Sequence, residues 1–128
     1  MKRIGIALAI LLSMTLLSAW HTATLRGITE ELTAHLTRAQ EKVEQDDWHA
    51  ADALTRRALC TWQSHDFYLH TVLRHEDTDA ILSAFYQALA YLEGGEPQPS
   101  EYAATNAQLI TFIELLLEEE TPTLKNIL

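Results

Sequence analysis

The sequence predicts an all-α protein in which an N-terminal transmembrane helix continues into a small antiparallel bundle of about four helices. Residues 4–25 contain no formally charged side chain, and a helix of that length spans about 33 Å, enough to cross a bilayer. Beyond them, apolar residues recur at steps of three and four, as on one face of a helix. The exported part contains no β-branched alternation over five or more residues, so nothing in it predicts a strand.

The apolar segment, residues 4–25, is interpreted as the membrane-crossing part of an uncleaved signal anchor at residues 1–25. Lys2 and Arg3 precede it and predict a cytoplasmic N-terminus by the positive-inside rule. Trp20 lies near its other end, where an indole ring favours the lipid headgroup region. These features predict a single-pass protein of the cell membrane.

A cleaved signal peptide is the alternative interpretation of the same segment. Signal peptidase prefers small residues around its cut, whereas cutting after Ala19 leaves Leu17 at the −3 position and cutting after Ala23 leaves His21 there. Either interpretation exports residues 26–128, which we expect to form an extracytoplasmic helical domain.

The exported domain is acidic. It holds seven Lys and Arg against eighteen Asp and Glu, a net charge of −11. This charge argues against nucleic-acid binding, which needs clustered basic side chains to neutralise phosphates. The single cysteine, Cys60, has no partner for a disulfide or a zinc site, and we expect it to pack as a small apolar residue.

The first exported helix is expected to continue the membrane helix without a break to about residue 45. Gly27 is the only unfavourable residue on the way, and helices tolerate one glycine. An apolar stripe with the spacing of a heptad pattern follows the apolar segment and needs a partner surface. The stripe consists of Leu25, Ile28, Leu32, Leu36, Ala39 and Val43.

Two further helices are predicted at about 47–63 and 66–93. In the first, Trp48 and Trp62 lie fourteen residues apart, almost four turns, so both rings face the same side. We expect these two rings to belong to the structural core, together with Phe85 of the next helix. The apolar stripe of that helix is Leu69, Leu73, Ala80, Ala84, Ala88 and Leu92.

This stripe has one defect, because an acidic residue, Glu76 or Asp77, falls at the inward position between Leu73 and Ala80. One explanation is that the helix stops there and that Asp77 or Thr78 caps a new helix. The other is that a carboxylate points toward the core and pairs with an arginine of the preceding helix. Arg56 and Arg57 are the candidate partners.

A fourth helix is predicted from about 100 to 119, after a glycine- and proline-rich turn over residues 94–99. Its apolar stripe is Tyr102, Leu109, Ile113 and Leu116. The chain then ends in the apolar pair Ile127 and Leu128, which we expect to dock on the bundle or on another protein.

The pattern His75-Glu76-x-x-Asp79 resembles a zinc-binding helix, since residues four apart share one helix face. No third ligand follows at a suitable spacing, so the pattern also fits a capping and salt-bridge cluster, and no metal or other cofactor is predicted. His65, His70 and His75 recur every five residues, which spreads them around a straight helix. Neither a nucleophile elbow nor a glycine-rich phosphate loop occurs, so we do not predict an enzyme.

Several motifs occur together with the N-terminal anchor. They are Asp47-Trp48-x-x-Ala51, Trp62, His75-Glu76-x-x-Asp79 and Thr123-Leu124-x-Asn126-Ile127-Leu128. In these features the chain resembles a family of short, uncharacterised proteins from Gram-positive, often spore-forming bacteria, known only as a domain of unknown function. The resemblance implies a membrane-anchored helical protein with no established activity or catalytic residues, and it favours an accessory role beside another membrane protein.

We therefore expect a non-enzymatic membrane protein whose exported domain binds another membrane protein or a second copy of itself. The stripe beside the apolar segment and the C-terminal pair Ile127 and Leu128 are the surfaces that predict this. The alternative is a sensor or binding module for a small ligand or divalent cation, with His75, Glu76 and Asp79 as the binding residues.

Overall fold

The computed structural model describes residues 1–120, with every side chain in that range except those of residue 72 and residues 117–120. No strand occurs in residues 1–120, and the predicted all-α fold is confirmed. The structure contains the helices α1 (Lys2–Glu44), α2 (Trp48–Ser64), α3 (Asp66–Val72), α4 (His75–Leu92) and α5 (Pro99–Glu120).

Helix α1 is a single rod of 43 residues, about 65 Å long. The predicted continuation through Gly27 is confirmed, and a Cβ atom built on Gly27 would meet no other atom within 4 Å. The two halves of α1 differ in their surroundings, because the first half is exposed and the second half contributes one face to the core. All six residues of the predicted stripe are buried, and Thr29 joins them.

The four long helices form an antiparallel bundle in which each helix packs on two neighbours. The second half of α1 packs on α2 and α5, and α4 completes the ring by packing on the same two helices. A tight turn joins α1 to α2. In it Asp46 adopts a φ of 57°, and Asp47 caps α2 by accepting a hydrogen bond from the amide of Ala50 at 3.2 Å.

The core has two layers along the bundle axis. The near layer, closer to the apolar segment, contains Leu25, Trp62, Phe85 and Ile113 among its members. The far layer is built around Val43, Ala51, Leu92 and Tyr102, with Trp48 packed at its margin. Each layer draws side chains from α1, α2, α4 and, through Ile113 or Tyr102, α5, so the layers hold the ring together.

Polar groups inside the core tie α5 to the other helices. The Thr55 hydroxyl donates to the carbonyl oxygen of Ala51 at 2.8 Å, so the Tyr102 hydroxyl donates to Thr55 Oγ1 at 2.7 Å. The Asn106 side-chain amide donates to the carbonyl oxygen of Leu36 at 2.9 Å. These bonds fix the rotation of α5 about its own axis.

The predicted third helix is interrupted, as the first explanation of its defect allowed, but earlier in the chain than that explanation placed the break. Leu73 and Arg74 are extended, and α4 begins at His75, so neither Asp77 nor Thr78 is its N-cap. Thr78 is instead buried, and its hydroxyl donates to the carbonyl oxygen of His75 at 2.9 Å. The interruption shifts the phase of the stripe, which leaves the predicted core residue Ala80 exposed.

The predicted pairing of this acidic run with Arg56 is wrong. Arg56 donates to Asp52, one turn earlier on α2, at 2.8 Å, and to Glu93 at the end of α4. Glu76 is exposed and Asp77 is half-buried at the surface of α4. The arginine thus links α2 to the far end of α4 rather than to its beginning.

The turn before α5 follows the predicted pattern. Gly94 has a φ of +97°, a conformation that favours glycine. The amide of Gln98 donates to the carbonyl oxygen of Tyr91 at 2.9 Å, and Pro99 occupies the first position of α5, where a missing N–H leaves no bond unmade.

Candidate functional site

The apolar segment has no cover within the described part of the chain. Its large side chains from Ile4 to Trp20 are all more than half exposed, for example Leu11 at 62 % and Trp20 at 61 %. By length and composition α1 is a candidate membrane span or signal sequence. An exposed apolar surface of this length needs a lipid or protein environment.

Helix α3 attaches to α1 just beyond the packed bundle. The Tyr68 ring meets the Trp20 ring edge to face, with the ring centroids 6.4 Å apart. The Tyr68 hydroxyl lies 2.5 Å from Nδ1 of His21. Since Leu25 is the first buried residue of α1, this contact lies about 7 Å outside the core, on the side of the apolar segment.

Phe67 is the most exposed aromatic residue among the exposed large apolar side chains, at 89 %. It precedes Tyr68 on α3, whose inward residue is Leu69 at 1 % exposure. The neighbouring Asp66 is paired with His70, with 3.0 Å between the carboxylate oxygen and Nδ1. We refer to Trp20, His21, Phe67 and Tyr68 as the collar.

The sequence did not single out the collar, apart from the interfacial position of Trp20. Tyr68 and His21 lie 47 residues apart, so no local spacing predicts their contact. The available signal was an aromatic residue, Phe67, outside the apolar stripe of its own helix. That signal is weak, because isolated exposed apolar residues are common in soluble proteins.

The predicted ligand residues lie at the same end of the bundle. His75 Nε2 and Asp79 Oδ2 are 3.8 Å apart, with both side chains largely exposed, and Glu76 is exposed beside them. The break before α4 brings the rings of His70 and His75 to 5.7 Å between centroids. The expected spreading of these two histidines is wrong, because it assumed one straight helix.

The described residues show no group of three His, Cys, Asp or Glu side chains arranged to hold a metal ion. His75 and Asp79 form an exposed pair of the kind that carries little stability.

A shallow groove lies between α4 and α5. Its volume is about 210 Å³, and Leu115 at its edge is 46 % exposed. Among the side chains that the structure describes, Asp77 is the one acidic residue in its lining. The lining is Asp77, Ala80 and Ile81 from α4 with Phe112, Leu115 and Leu116 from α5.

The structure places the remaining predicted residues as follows. Trp62 and Phe85 are buried in the near layer, whereas Trp48 is only half-buried at the margin of the far layer. Cys60 is exposed, so its expected packing is wrong. Ile127 and Leu128 lie outside the described residues.

Two groups with shifted pKa values occur in the middle and far part of the bundle, away from the collar. Burial raises the pKa of Tyr102 to about 12, although the hydrogen bond with Thr55 lowers it and the charge of Asp52 adds to the rise. The hydrogen bond and charge of Asp52, followed by the charge of Glu93, raise the pKa of Arg56. The first shift comes mainly from burial and the second mainly from a contact within α2, and neither group lies in the α4–α5 groove.

Comparison with known proteins identifies the family. The family model described as a domain of unknown function, DUF4363, matches residues 19–127, so the predicted resemblance to an uncharacterised family is confirmed. The match begins immediately before Trp20 and therefore includes the collar with the bundle. No curated protein and no solved structure matches the chain. Because the match covers most of its length, the chain belongs to the DUF4363 family.

Proposed function

We propose that the chain is a non-enzymatic, single-pass membrane protein whose exported domain binds another membrane protein or a second copy of itself. Residues 1–25 are its uncleaved anchor, with the N-terminus in the cytoplasm, and residues 26–128 lie outside the cell membrane of a Gram-positive, spore-forming bacterium. The observation that carries the proposal is α1, whose exposed apolar half continues without a break into a half that packs in the core.

The anchor is supported by the free energy of transferring its side chains out of water. Burying a leucine or isoleucine side chain contributes about 1.5–3 kcal/mol, and the apolar segment exposes many of them. Lipid supplies that burial over the length of a bilayer, and the helix satisfies its own backbone hydrogen bonds there.

The collar supports an uncleaved anchor. A cut after Ala23 would remove Trp20 and His21, which both contact Tyr68. A cut after Ala19 would keep them but place a free chain end directly at the contact.

The interaction surface differs from the one that the sequence predicted. The stripe from Leu25 to Val43 is covered by α2 and α5 of the same chain, so it is not free for a partner. The α4–α5 groove, with Leu115 partly exposed at its edge, replaces it as a docking surface. The pair Ile127 and Leu128, outside the described residues, stays the second proposed docking surface.

Crosslinking in membranes tests this function on the tagged full chain. We expect a stoichiometric crosslinked species, either a membrane protein identified by mass spectrometry or a doubled chain, that an anchor-only chain of residues 1–25 does not form. Leu115→Asp should lower its yield, and so should the double change of Ile127 and Leu128 to aspartate. Arg57→Asp is the matched control, because Arg57 is an exposed residue of α2.

Three outcomes would contradict the proposal. Recovery of the full chain from mild detergent as a monomer without a partner would contradict the proposed interaction. An intact mass that lacks the first 19 or 23 residues would remove the anchor, and so would a chain released from membranes by alkaline carbonate.

A ligand or cation sensor remains the second candidate, and the proximity of His70 to His75 favours it. A cation at 100 times its Kd stabilises the folded state by about 2.7 kcal/mol. The sensor therefore predicts a rise in melting temperature with Zn²⁺, Mn²⁺ or Ca²⁺ that the change of both His75 and Asp79 to alanine abolishes. An unchanged melting temperature with all three cations would eliminate the cation version of the sensor.

A further inference from the structure

We propose that α3 is a lipid-contacting helix at the membrane-facing end of the bundle and that Phe67 inserts at the boundary between headgroups and acyl chains of the outer leaflet. The inference rests on the proposed function, because it requires α1 to span the bilayer. It commits to lipid as the occupant of the exposed face of α3, and a protein that covers Phe67 is an outcome of the test.

The depth of α3 follows from its contact with α1. About 20 helical residues cross the hydrocarbon core, so a span that starts at Ile4, after the charged pair Lys2 and Arg3, ends at Ala23, less than one helical turn beyond Trp20. The ring contact between Trp20 and Tyr68 therefore fixes α3 at the acyl boundary.

The first formal charge of α1 after Arg3 is that of Arg26. Arg26 lies six residues beyond Trp20, which is about 9 Å along the helix. The headgroup region on one side of a bilayer is about 5–8 Å thick. If Arg26 reaches water at the outer edge of the headgroups, the Trp20 and Tyr68 rings lie at their inner edge.

Phe67 points away from the protein at this depth. Successive helical residues are rotated by about 100°, so Phe67 lies about 200° from Leu69, the residue of α3 that is buried in the near layer. Turning Phe67 inward would unpack Leu69 and the Tyr68 contact. The ring is consequently presented to whatever surrounds the bundle at the level of Trp20, and for an inserted chain this is lipid.

The contact is apolar rather than electrostatic. The exported domain carries a net charge of −11, which an anionic surface repels. The carboxylate beside Phe67, that of Asp66, is paired with His70 rather than presented alone. Zwitterionic phosphatidylcholine is therefore the appropriate lipid for the test.

The test places one fluorophore at a time on the full chain in phosphatidylcholine vesicles. Cys60→Ser removes the exposed native thiol, and Phe67→Cys then carries an environment-sensitive dye. Tyr86→Cys is the matched control, because Tyr86 is an exposed aromatic residue of α4, 53 % exposed and several turns from the collar. Leu12→Cys, in the apolar segment, reports whether α1 has inserted.

With nitroxide-labelled lipids we expect strong quenching at positions 12 and 67 and none at position 86. Quenching at 12 with none at 67 would overturn the inference and leave the anchor intact. An emission shift at 67 without lipid quenching would show that a protein covers Phe67, which also overturns it. Lack of quenching at 12 would instead show that α1 does not span the bilayer, which is the failure of the proposed function.

Discussion

At the scale of single residues, Tyr102 links α5 to α2 through a hydroxyl that is buried in the far layer. Its pKa is raised to about 12, mainly because burial disfavours the tyrosinate. The ordinary value in the unfolded chain is about 10, so unfolding releases this proton between pH 10 and 12. The stabilising contribution of the protonated phenol is complete below pH 10 and is lost as the pH rises to 12.

Replacing Tyr102 by phenylalanine should remove this pH dependence. At neutral pH the change should cost about 1 kcal/mol of unfolding free energy, the usual contribution of one hydrogen bond. Between pH 10 and 12 the wild-type chain should lose about 2–3 kcal/mol more than the variant, because one pKa unit corresponds to about 1.4 kcal/mol. Urea unfolding over this pH range measures both effects.

Tyr86→Phe is the control for this measurement, since the Tyr86 side chain is exposed and the change should alter stability by less than about 0.5 kcal/mol. Identical alkaline slopes for the wild type and Tyr102→Phe would contradict the assignment of this titration to Tyr102.

At the scale of secondary-structure elements, α1 predicts a gain in stability from its glycine. Gly27 lies inside the helix, with open space where an alanine methyl group would lie, so Gly27→Ala should stabilise the chain by about 0.5–1 kcal/mol. Gly94→Ala should act in the opposite direction, because Gly94 has a φ of +97° that alanine rarely adopts. Thermal unfolding of the two variants side by side provides the measurement. A loss of stability in Gly27→Ala would indicate that another molecule approaches the helix closely there.

The elements differ in how far the sequence predicts them. The stripe of α1 is predictable because every one of its steps is local, and its six residues are buried as expected. The phase defect between Leu73 and Ala80 allows a helix stop, but the position of the break is not predictable, since Leu73 and Arg74 carry no glycine or proline signal. That break places Leu73 and Ile81 in the same core layer, so its position depends on the packing of the bundle rather than on the local sequence.

The candidate site is less predictable than the fold for the same reason. The apolar segment is visible as a composition, but the collar depends on a contact between His21 and Tyr68, 47 residues apart. The proximity of His70 to His75 depends on the helix break, which the spacing of five residues did not reveal.

At the scale of the whole molecule, α1 is one continuous helix whose first half is the apolar segment and whose second half is part of the bundle. A continuous helix couples height to rotation, with about 1.5 Å and 100° per residue. The anchor therefore fixes how far the bundle stands from the membrane and which of its faces meets a membrane partner.

Inserting seven alanines between His21 and Thr22 changes the height of the bundle above the membrane with little change in its rotation. The insertion lifts the bundle by about 10 Å and rotates it by only about 20°, while the stripe that begins at Leu25 keeps its phase with α2 and α5. Tyr68 then loses His21, and Phe67 leaves the acyl boundary. We expect lipid quenching at position 67 to disappear and the crosslinked species to fall sharply.

A two-alanine insertion at the same place is the control for rotation, because it turns the bundle by about 200° and lifts it by only about 3 Å. If a membrane partner recognises one face of the bundle, this shorter insertion should also abolish the crosslinked species while keeping part of the quenching at position 67. Loss of the species with seven alanines but not with two would mean that height alone matters. Retention with both would contradict a separate membrane partner bound at a fixed height, and it would leave only self-association, because two copies with the same insertion are lifted and turned alike.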